Sequence, residues 1–286
     1  MDFNLTILTN SLSDKKKHLK KPDVEKEQET KRLLELTTFK SLFLLQLKND
    51  TFIGLNKNKQ KMKAFKLRTL LLSACLLVMA ACTEETNDKA KAIAHFESGL
   101  KAADANNMPL AFKDFSVAAK EGHDLAQFNV ALMYEQGLGV SKNEKEAFFW
   151  YGKSAAQGNS AAEFNLGVLY ENGRGTKVDF AKANKWYRKA SAQGDGLAVG
   201  NLGMLYIRGQ GVKQNKVGGV ALLLLSVVMD NSPENQAKNN ISATRGLTAA
   251  MVTEAQALSD EMSKAKNLLV SLDKYLKESE NSKKKN

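Results

Sequence analysis

Apolar positions in the second half of the chain repeat with a fixed period of 36 residues. Three blocks align without a gap, at residues 124–159, 160–195 and 196–231. In each block, apolar and small residues recur at helical spacing in two runs, which a glycine-containing segment separates. Each block is therefore predicted to fold as a hairpin of two helices. One hairpin cannot bury these faces alone, so the hairpins must stack on each other.

The columns of this alignment predict where each helix begins and ends. Capping boxes are predicted at the start of the first helix, formed by Asp124 with Gln127 and by Ser160 with Glu163. A pair of glycines supplies the positive-φ turn between the helices, and an Asn or Asp caps the second helix. The glycines are Gly137/Gly139, Gly173/Gly175 and Gly209/Gly211, the caps are Asn143, Asp179 and Asn215, and the expected core aromatics are Trp150, Tyr151, Trp186 and Tyr187.

The array is predicted to begin upstream of these copies, with a partial copy at residues 91–123. Ala111, Phe115 and Ala119 fall there on the columns that hold Ala147, Tyr151 and Ala155 in the first full copy. The third copy differs in its second helix, where Gly218, Ala221, Leu224 and Leu225 replace Lys182, Lys185, Arg188 and Lys189. Because a helix that is apolar all round must be covered, a C-terminal helical cap is predicted over residues 232–278.

The predicted cap consists of a helix that starts at Ser232-Pro233 and a long helix from after Gly246 to about Lys277. Apolar residues follow a strict three–four spacing along the long helix, which is typical of a heptad seam. They are Ala255, Leu258, Met262, Ala265, Leu269, Leu272 and Leu276. The seam packs either on residues 222–228 or on a second copy of the chain, which would make a homodimer. Residues 279–286 are expected to be a disordered tail.

Residues 62–81 have the pattern of a secretory signal peptide. A basic head at 62–68 precedes a charge-free run at 69–81, which is shorter than the about 20 apolar residues that span a bilayer. Small residues just before Cys82 resemble the lipobox of bacterial lipoproteins, in which the cysteine is acylated and becomes the mature N-terminus. Cys82 is therefore the predicted lipid attachment site, followed by a polar tether over residues 82–90.

Other interpretations of this region stay open. Cys75 also follows small residues, but it would leave an apolar run of only six residues. The run could instead be a buried helix of a cytoplasmic domain. Residues 1–61 are interpreted as an over-extended gene start, and the alternative is a genuine cytoplasmic extension with an amphipathic piece near 33–47. With an acylated Cys82, the protein is expected in the cell envelope, on the outer membrane facing the periplasm where the host has two membranes.

Composition narrows the classes of function. Three prolines and 19 glycines among 286 residues favour an all-α protein. The net charge is +11, but only 26 basic against 23 acidic side chains follow from Cys82 onward, so no nucleic acid partner is expected. Cys75 and Cys82 are the only cysteines, which excludes a disulfide framework or a cysteine-based zinc site in the repeats.

The repeated pattern A-x-x-N-L-G-x-x-Y…G-x-G…A-x-x-W-Y…A-x-Q-G resembles the Sel-one-like repeat, a relative of the tetratricopeptide repeat. This resemblance covers about residues 91–231. It implies an all-α, right-handed solenoid of helix hairpins that binds a protein or peptide in its concave face. In related arrays, asparagines in the matching column hold a peptide backbone, so Asn129, Asn165 and Asn201 are the partner-binding candidates. The alternative is that each Asn bonds the neighbouring helix.

The sequence offers no candidate catalytic residue and predicts no metal or cofactor. The three Gly-x-Gly segments lack the preceding strand and the third glycine of a phosphate-binding loop. His95 and His123 lie on different elements and are expected to be exposed or to cap helices. The predicted function is a non-catalytic, membrane-tethered adaptor of the bacterial cell envelope. The alternative is an envelope enzyme acting on cell-wall or small-molecule substrates, which would need a polar pocket with perturbed titratable groups.

Overall fold

The computed structural model describes residues 88–285, so the signal-like segment and both cysteines lie outside the described residues. This part of the chain contains eleven helices and no strand. The helices are α1 (88–104), α2 (Met108–Lys120), α3 (Asp124–Gln136), α4 (Glu144–Ala156), α5 (Ser160–Asn172), α6 (Phe180–Ala192), α7 (Gly196–Arg208), α8 (Lys216–Met229), α9 (Ala237–Ala243), α10 (Ala249–Lys264) and α11 (Leu268–Lys285).

Each helix from α2 to α8 packs against the next one along the chain, which is the arrangement of a helical repeat solenoid. Small residues allow this close stacking: Ala126, Ala162 and Ala198 on the first helices are completely buried. The rings of Tyr151 and Tyr187 on the second helices are also completely buried. The all-α repeat fold expected from the sequence is therefore present.

The predicted capping boxes are wrong by one residue. The first helices are capped by His123, Asn159 and Asp195, whose side chains accept hydrogen bonds from the N–H groups of Ala126, Ala162 and Ala198. Gln127 instead reaches the preceding second helix, where its Nε2 donates to the Ala119 carbonyl at 3.1 Å. The predicted caps of the second helices, Asn143, Asp179 and Asn215, are confirmed.

The two glycines of each turn have different roles. Gly173 ends its helix with φ +68°, and its N–H donates to the Leu169 carbonyl. Gly175, also at φ +68°, lies so close to the first residue of the preceding second helix that a Cβ would overlap the Glu144 carbonyl. The same contact recurs in the other two copies. Gly139 lies close to Met108, the first residue of α2, and Gly211 lies close to Phe180, the first residue of α6. The second glycine therefore sets the spacing between successive hairpins.

The apolar α8 is covered by the chain's own C-terminal helices, with α10 as its main neighbour besides α7. Leu272 and Leu276 of α11 lie close to Gly218, while Leu222 and Leu223 face Gly203 of α7 and are completely buried. On the other side of this cap, Arg188 of α6 donates to both carboxylate oxygens of Asp273 on α11, at 2.7 and 2.6 Å. The cap thus contacts the second and the third repeat.

Three details of the predicted cap are wrong. Ser232-Pro233 starts no helix, because the Asn235 amide donates to the Ser226 and Asp230 carbonyls and holds a turn there; α9 begins only at Ala237. The single long helix is two helices, α10 and α11, and the Asn267 carboxamide accepts from the Leu269 N–H at the start of the second. The expected disordered tail is helical to Lys285.

The heptad seam residues lie mostly in the core of this chain. Ala255, Leu258, Met262, Leu269 and Leu272 are buried, and Leu276 packs against the same core. The homodimer through this seam stays a prediction, and it would need residues that the fold of one chain already covers.

Replacing Gly175 by alanine should destabilise the array more than the same change at Gly158. Both glycines have positive φ, +68° and +85°, but a Cβ at Gly158 would meet no atom within 4 Å. We expect Gly158→Ala to lower the free energy of unfolding by about 1 kcal/mol, through backbone conformation alone. Gly175→Ala must also push two hairpins apart and should lower it by roughly 3 kcal/mol. Urea unfolding followed by circular dichroism measures both, and equal losses would contradict the spacing role.

Candidate partner-binding face

The structure gives the three candidate asparagines different environments. Asn129 on α3 is buried, whereas Asn165 on α5 and Asn201 on α7 are half-buried. The Asn165 amide donates to the Ala161 carbonyl of its own helix at 2.9 Å. The Asn201 amide donates to the Tyr187 hydroxyl of the neighbouring helix at 3.2 Å. Neither carboxamide oxygen accepts a hydrogen bond from the described residues, so each retains an acceptor for a ligand.

Apolar side chains beside these asparagines also become more exposed from the first copy to the later ones. Leu132 in the first copy is buried, but Val168 and Met204 in the same column are partly exposed. Phe128 is likewise buried, whereas Phe164 in the second copy is partly exposed. The surface that is accessible therefore belongs to the second and third copies. We call it the first-helix face, and it comprises Phe164, Asn165 and Val168 of α5 with Asn201 and Met204 of α7.

A hydrogen-bonded ladder fixes the first helices beneath this face. The hydroxyls of Tyr151 and Tyr187 donate to the carboxylates of Glu135 and Glu171, both at 2.7 Å. Burial is the main cause that raises the pKa of both tyrosines, so their hydroxyls stay protonated and donate. The Arg174 guanidinium of the second copy then forms ion pairs with two carboxylates of the first copy, Glu135 at 2.9 Å and Glu144 at 3.2 Å. Sequence reasoning placed the tyrosines in the core but missed these acceptors, although a Glu precedes each Tyr by 16 residues.

Glu163 is a buried acid in the second copy, with 3% of its surface exposed. Its Oε2 accepts from the Gln193 amide at 2.7 Å, and burial is the main cause that raises its pKa. In the first copy the same column holds Gln127, which accepts from Gln157 at 2.8 Å and also donates to the Ala119 carbonyl. A carboxylate cannot make that second bond, so copy two lacks a donor that copy one has.

Both histidines of the repeat region have structural partners. His123 Nδ1 accepts from the Ala126 N–H at the start of α3, its ring stacks on Phe96 at 4.3 Å, and burial lowers its pKa. His95 Nδ1 lies 3.3 Å from Asp114, which also accepts from the Ser98 hydroxyl. Within residues 88–282, no three His, Cys, Asp or Glu side chains are grouped so that they could hold a metal ion.

Two small cavities lie on this part of the chain. One of about 240 Å³ lies between the α7–α8 turn and α11, lined by Tyr206, Asn215 and Leu276 among others. Another of about 120 Å³ lies at the end of α8 beside Asn235. Pockets for small molecules usually measure roughly 300–1,000 Å³, so the geometry favours binding on a surface. No described helix is both long and apolar enough to cross a bilayer.

Comparison with known proteins gives matches to one kind of repeat. The Sel1 repeat model matches residues 124–159, 160–195 and 197–226. A solved Sel1 repeat protein from Oxalobacter formigenes is 31% identical, with 51% of this chain and 57% of that chain covered and a TM-score of 0.46. The structure of c5321, a protective antigen present in uropathogenic Escherichia coli strains that displays an SLR fold, is 26% identical, with 65% and 48% covered and a TM-score of 0.44.

The chain spans about half the length of these two solved proteins. No curated protein matches it.

Replacing Glu163 by glutamine should stabilise the array at neutral pH. The new amide can donate to the Ala155 carbonyl, as Gln127 donates to that of Ala119 in copy one, and we expect a gain of about 1 kcal/mol. Because the folded-state pKa of Glu163 is raised, its protonated form favours folding, and this contribution is lost as pH rises through that pKa. The gain should therefore vanish below the unfolded-state pKa of about 4.3.

Urea unfolding at a series of pH values measures this difference, and the exposed Glu278 provides the control as Glu278→Gln. A glutamine variant at position 163 that is less stable than the parent at pH 7 would contradict the interpretation.

Proposed function

We propose that the chain, which contains three Sel1 repeats, is a scaffold that binds a protein or peptide on its first-helix face. Sel1 repeats indicate a helical scaffold for protein interaction, and proteins built from them are generally non-catalytic. The observation that carries the proposal is the half-exposed set of apolar and asparagine side chains at equivalent columns of α5 and α7.

The chemistry of this face suits an extended peptide segment. Phe164, Val168 and Met204 offer apolar surface that a partner's side chains can bury. The carboxamides of Asn165 and Asn201 each keep an acceptor oxygen and a second N–H, and a peptide backbone needs both kinds of group. Tyr187 of α6 links the two helices of the face, because its hydroxyl donates to Glu171 of α5 and accepts from Asn201 of α7. A partner can therefore bind without ordering the face first.

We further infer that the scaffold is tethered to a membrane of the bacterial envelope through acylated Cys82. The support comes from the sequence: a basic head, a charge-free run and small residues precede that cysteine. Two or more acyl chains on one residue would make the attachment stable. In a host with two membranes, we infer that the anchor lies in the outer membrane, with the protein facing the periplasm.

A photo-crosslinking residue at Val168 should capture the partner in native cells. The same residue at Val178, which is exposed in the α5–α6 turn, serves as the control for random collisions. Replacing both Asn165 and Asn201 by alanine should reduce the Val168 adduct, since two lost hydrogen bonds correspond to roughly tenfold in affinity.

The matched control is Asn172→Ala, because the Asn172 amide also donates to a carbonyl of its own helix, at 2.9 Å. A specific adduct at Val178 with none at Val168 would place the binding surface elsewhere.

Incorporation of a labelled fatty acid should require Cys82. We expect label in the parent chain and in Cys75→Ser, but none in Cys82→Ser, because only Cys82 ends an apolar run long enough for a signal peptide. Mass spectrometry of the mature N-terminus checks the same point. Label that depends on Cys75, or a chain that keeps peptides from before Met62, would contradict the assignment.

A further inference from the structure

Exposed lysines and aromatic rings recur on the outer side of two successive second helices. We call this surface the lysine–aromatic face. It comprises Lys145, Phe149, Trp150 and Lys153 of α4 and Lys182, Lys185, Trp186 and Lys189 of α6. All five lysines are exposed, and Phe149 exposes 49% of its surface. Trp186 is partly exposed, whereas Trp150 is buried, with 9% of its surface exposed. These residues lie on the side of the hairpins formed by the second helices, whereas the first-helix face lies on the first helices.

The same contact is built in both copies. Lys153 Nζ lies 4.9 Å from the centre of the Phe149 ring and 5.1 Å from that of Trp150. One repeat later, Lys189 Nζ lies 4.2 Å from the centre of the Trp186 ring. Lys153 and Lys189 share one column of the repeat, and Trp150 and Trp186 share another. Equivalent columns of a repeat array face the same way, so the ammonium groups and rings form one surface.

Acids of the same two helices neutralise only part of the charge on this surface. Lys182 pairs with Asp179, the N-cap of α6, at 3.2 Å, and Glu146 lies in the first turn of α4, so the five lysines outnumber these two acids. α6 contains no Asp or Glu from Phe180 to Ala192. In α4, Glu144 is already paired with Arg174 at 3.2 Å and Lys142 at 3.7 Å. The Arg188 guanidinium, the remaining cation of α6, is held by Asp273 of the cap. The lysine–aromatic face therefore carries net positive charge and needs an anionic partner of similar extent.

We propose that the lysine–aromatic face binds the headgroup region of an anionic phospholipid membrane. Lysine stems with rings between them are the composition of interfacial surfaces, where rings sit at headgroup depth and ammonium groups reach the phosphates. The face lines neither of the two cavities described above. Its five exposed lysines are distributed over two successive second helices, which suits contact with a membrane surface.

The proposed acylation of Cys82 supports an anionic membrane as the partner. In this respect the inference rests on the proposed function. Cys82 precedes the first described helical residue, at 88, by six residues, and six residues reach at most about 21 Å. The array must then stay close to the bilayer, where a positively charged face is drawn to anionic lipid.

The experiment uses the full chain and its intrinsic fluorescence. The chain has two tryptophans, and both belong to the lysine–aromatic face. Trp186 is partly exposed and Trp150 is buried beneath Lys153, so Trp186 is the main reporter. The chain is mixed with vesicles whose acyl chains carry bromine, a quencher of tryptophan, and which contain either phosphatidylglycerol with phosphatidylcholine or phosphatidylcholine alone. We expect quenching with the anionic vesicles, its loss at high salt because ionic attraction is screened, and no quenching with phosphatidylcholine alone.

Matched variants test the residues. Lys145, Lys182 and Lys185 do not lie over a tryptophan ring, so their triple replacement by glutamine leaves the reporter unchanged. We expect roughly fivefold weaker binding for each lysine lost, hence roughly 100-fold for the triple variant. The control triple replaces Lys238, Lys264 and Lys266, exposed lysines of the C-terminal region, and should bind like the parent. Unchanged circular dichroism shows that both variants fold.

Equal quenching by both kinds of vesicle, or by neither, would overturn the proposal. A change in emission with soluble polyglutamate but not with anionic vesicles would also overturn it, in favour of an acidic protein partner. The Val168 adduct is an independent readout: if it persists while quenching is absent, the membrane proposal fails and the scaffold proposal stands.

Discussion

The contact on which the array depends is the one between the second turn glycine of each hairpin and the first residue of the preceding second helix. It recurs at Met108, Glu144 and Phe180, which are 36 residues apart. Backbone meets backbone there, and backbone cannot adjust its size as a side chain can. This contact fixes the distance between hairpins. The Arg174–Glu144 bridge between copies needs that distance to form.

The two sides of the array differ in chemistry because the two helices of a hairpin differ. First helices α3, α5 and α7 carry few charges and are buried along much of their length. Second helices α4 and α6 bury one face and present lysines on the other. A scaffold with one uncharged side and one cationic side can engage two different surfaces at once. Partner binding and membrane contact would then not compete for the same residues.

Much of the fold could be predicted from sequence because the 36-residue pattern occurs three times, and each copy predicts the same helix hairpin. The Sel-one-like recognition is confirmed, since one model matches all three copies. The caps of α3 and α5 were missed because two polar residues adjoin at each of these starts, as His123 and Asp124 do. Only the hydrogen bond to Ala126 shows which of the two caps α3. The break between α10 and α11 was missed because a three–four apolar spacing continues across it, through Met262 and Leu269.

The candidate site was harder to predict for a related reason. Asn129, Asn165 and Asn201 are identical in the alignment, but Leu132 and Val168 beside the first two differ in burial. Accessibility depends on what packs over each copy, and no column of the repeat contains that information. The lysine–aromatic face was passed over because its tryptophans were assigned to the core. That assignment is right for Trp150, which is buried, but Trp186 is only partly buried.

The closed end at α8 also limits how this protein can change in length. Its outer surface is occupied by α10, and Leu272 and Leu276 lie close to Gly218. A duplicated hairpin inserted after the third copy would have to displace α10 from α8. The apolar residues of the C-terminal cap would then be exposed. A hairpin inserted between the earlier copies would meet the same turn glycine and the same helix start on both sides. Gain or loss of repeats should therefore be confined to the interior of the array, with the last copy and its cap inherited as one unit.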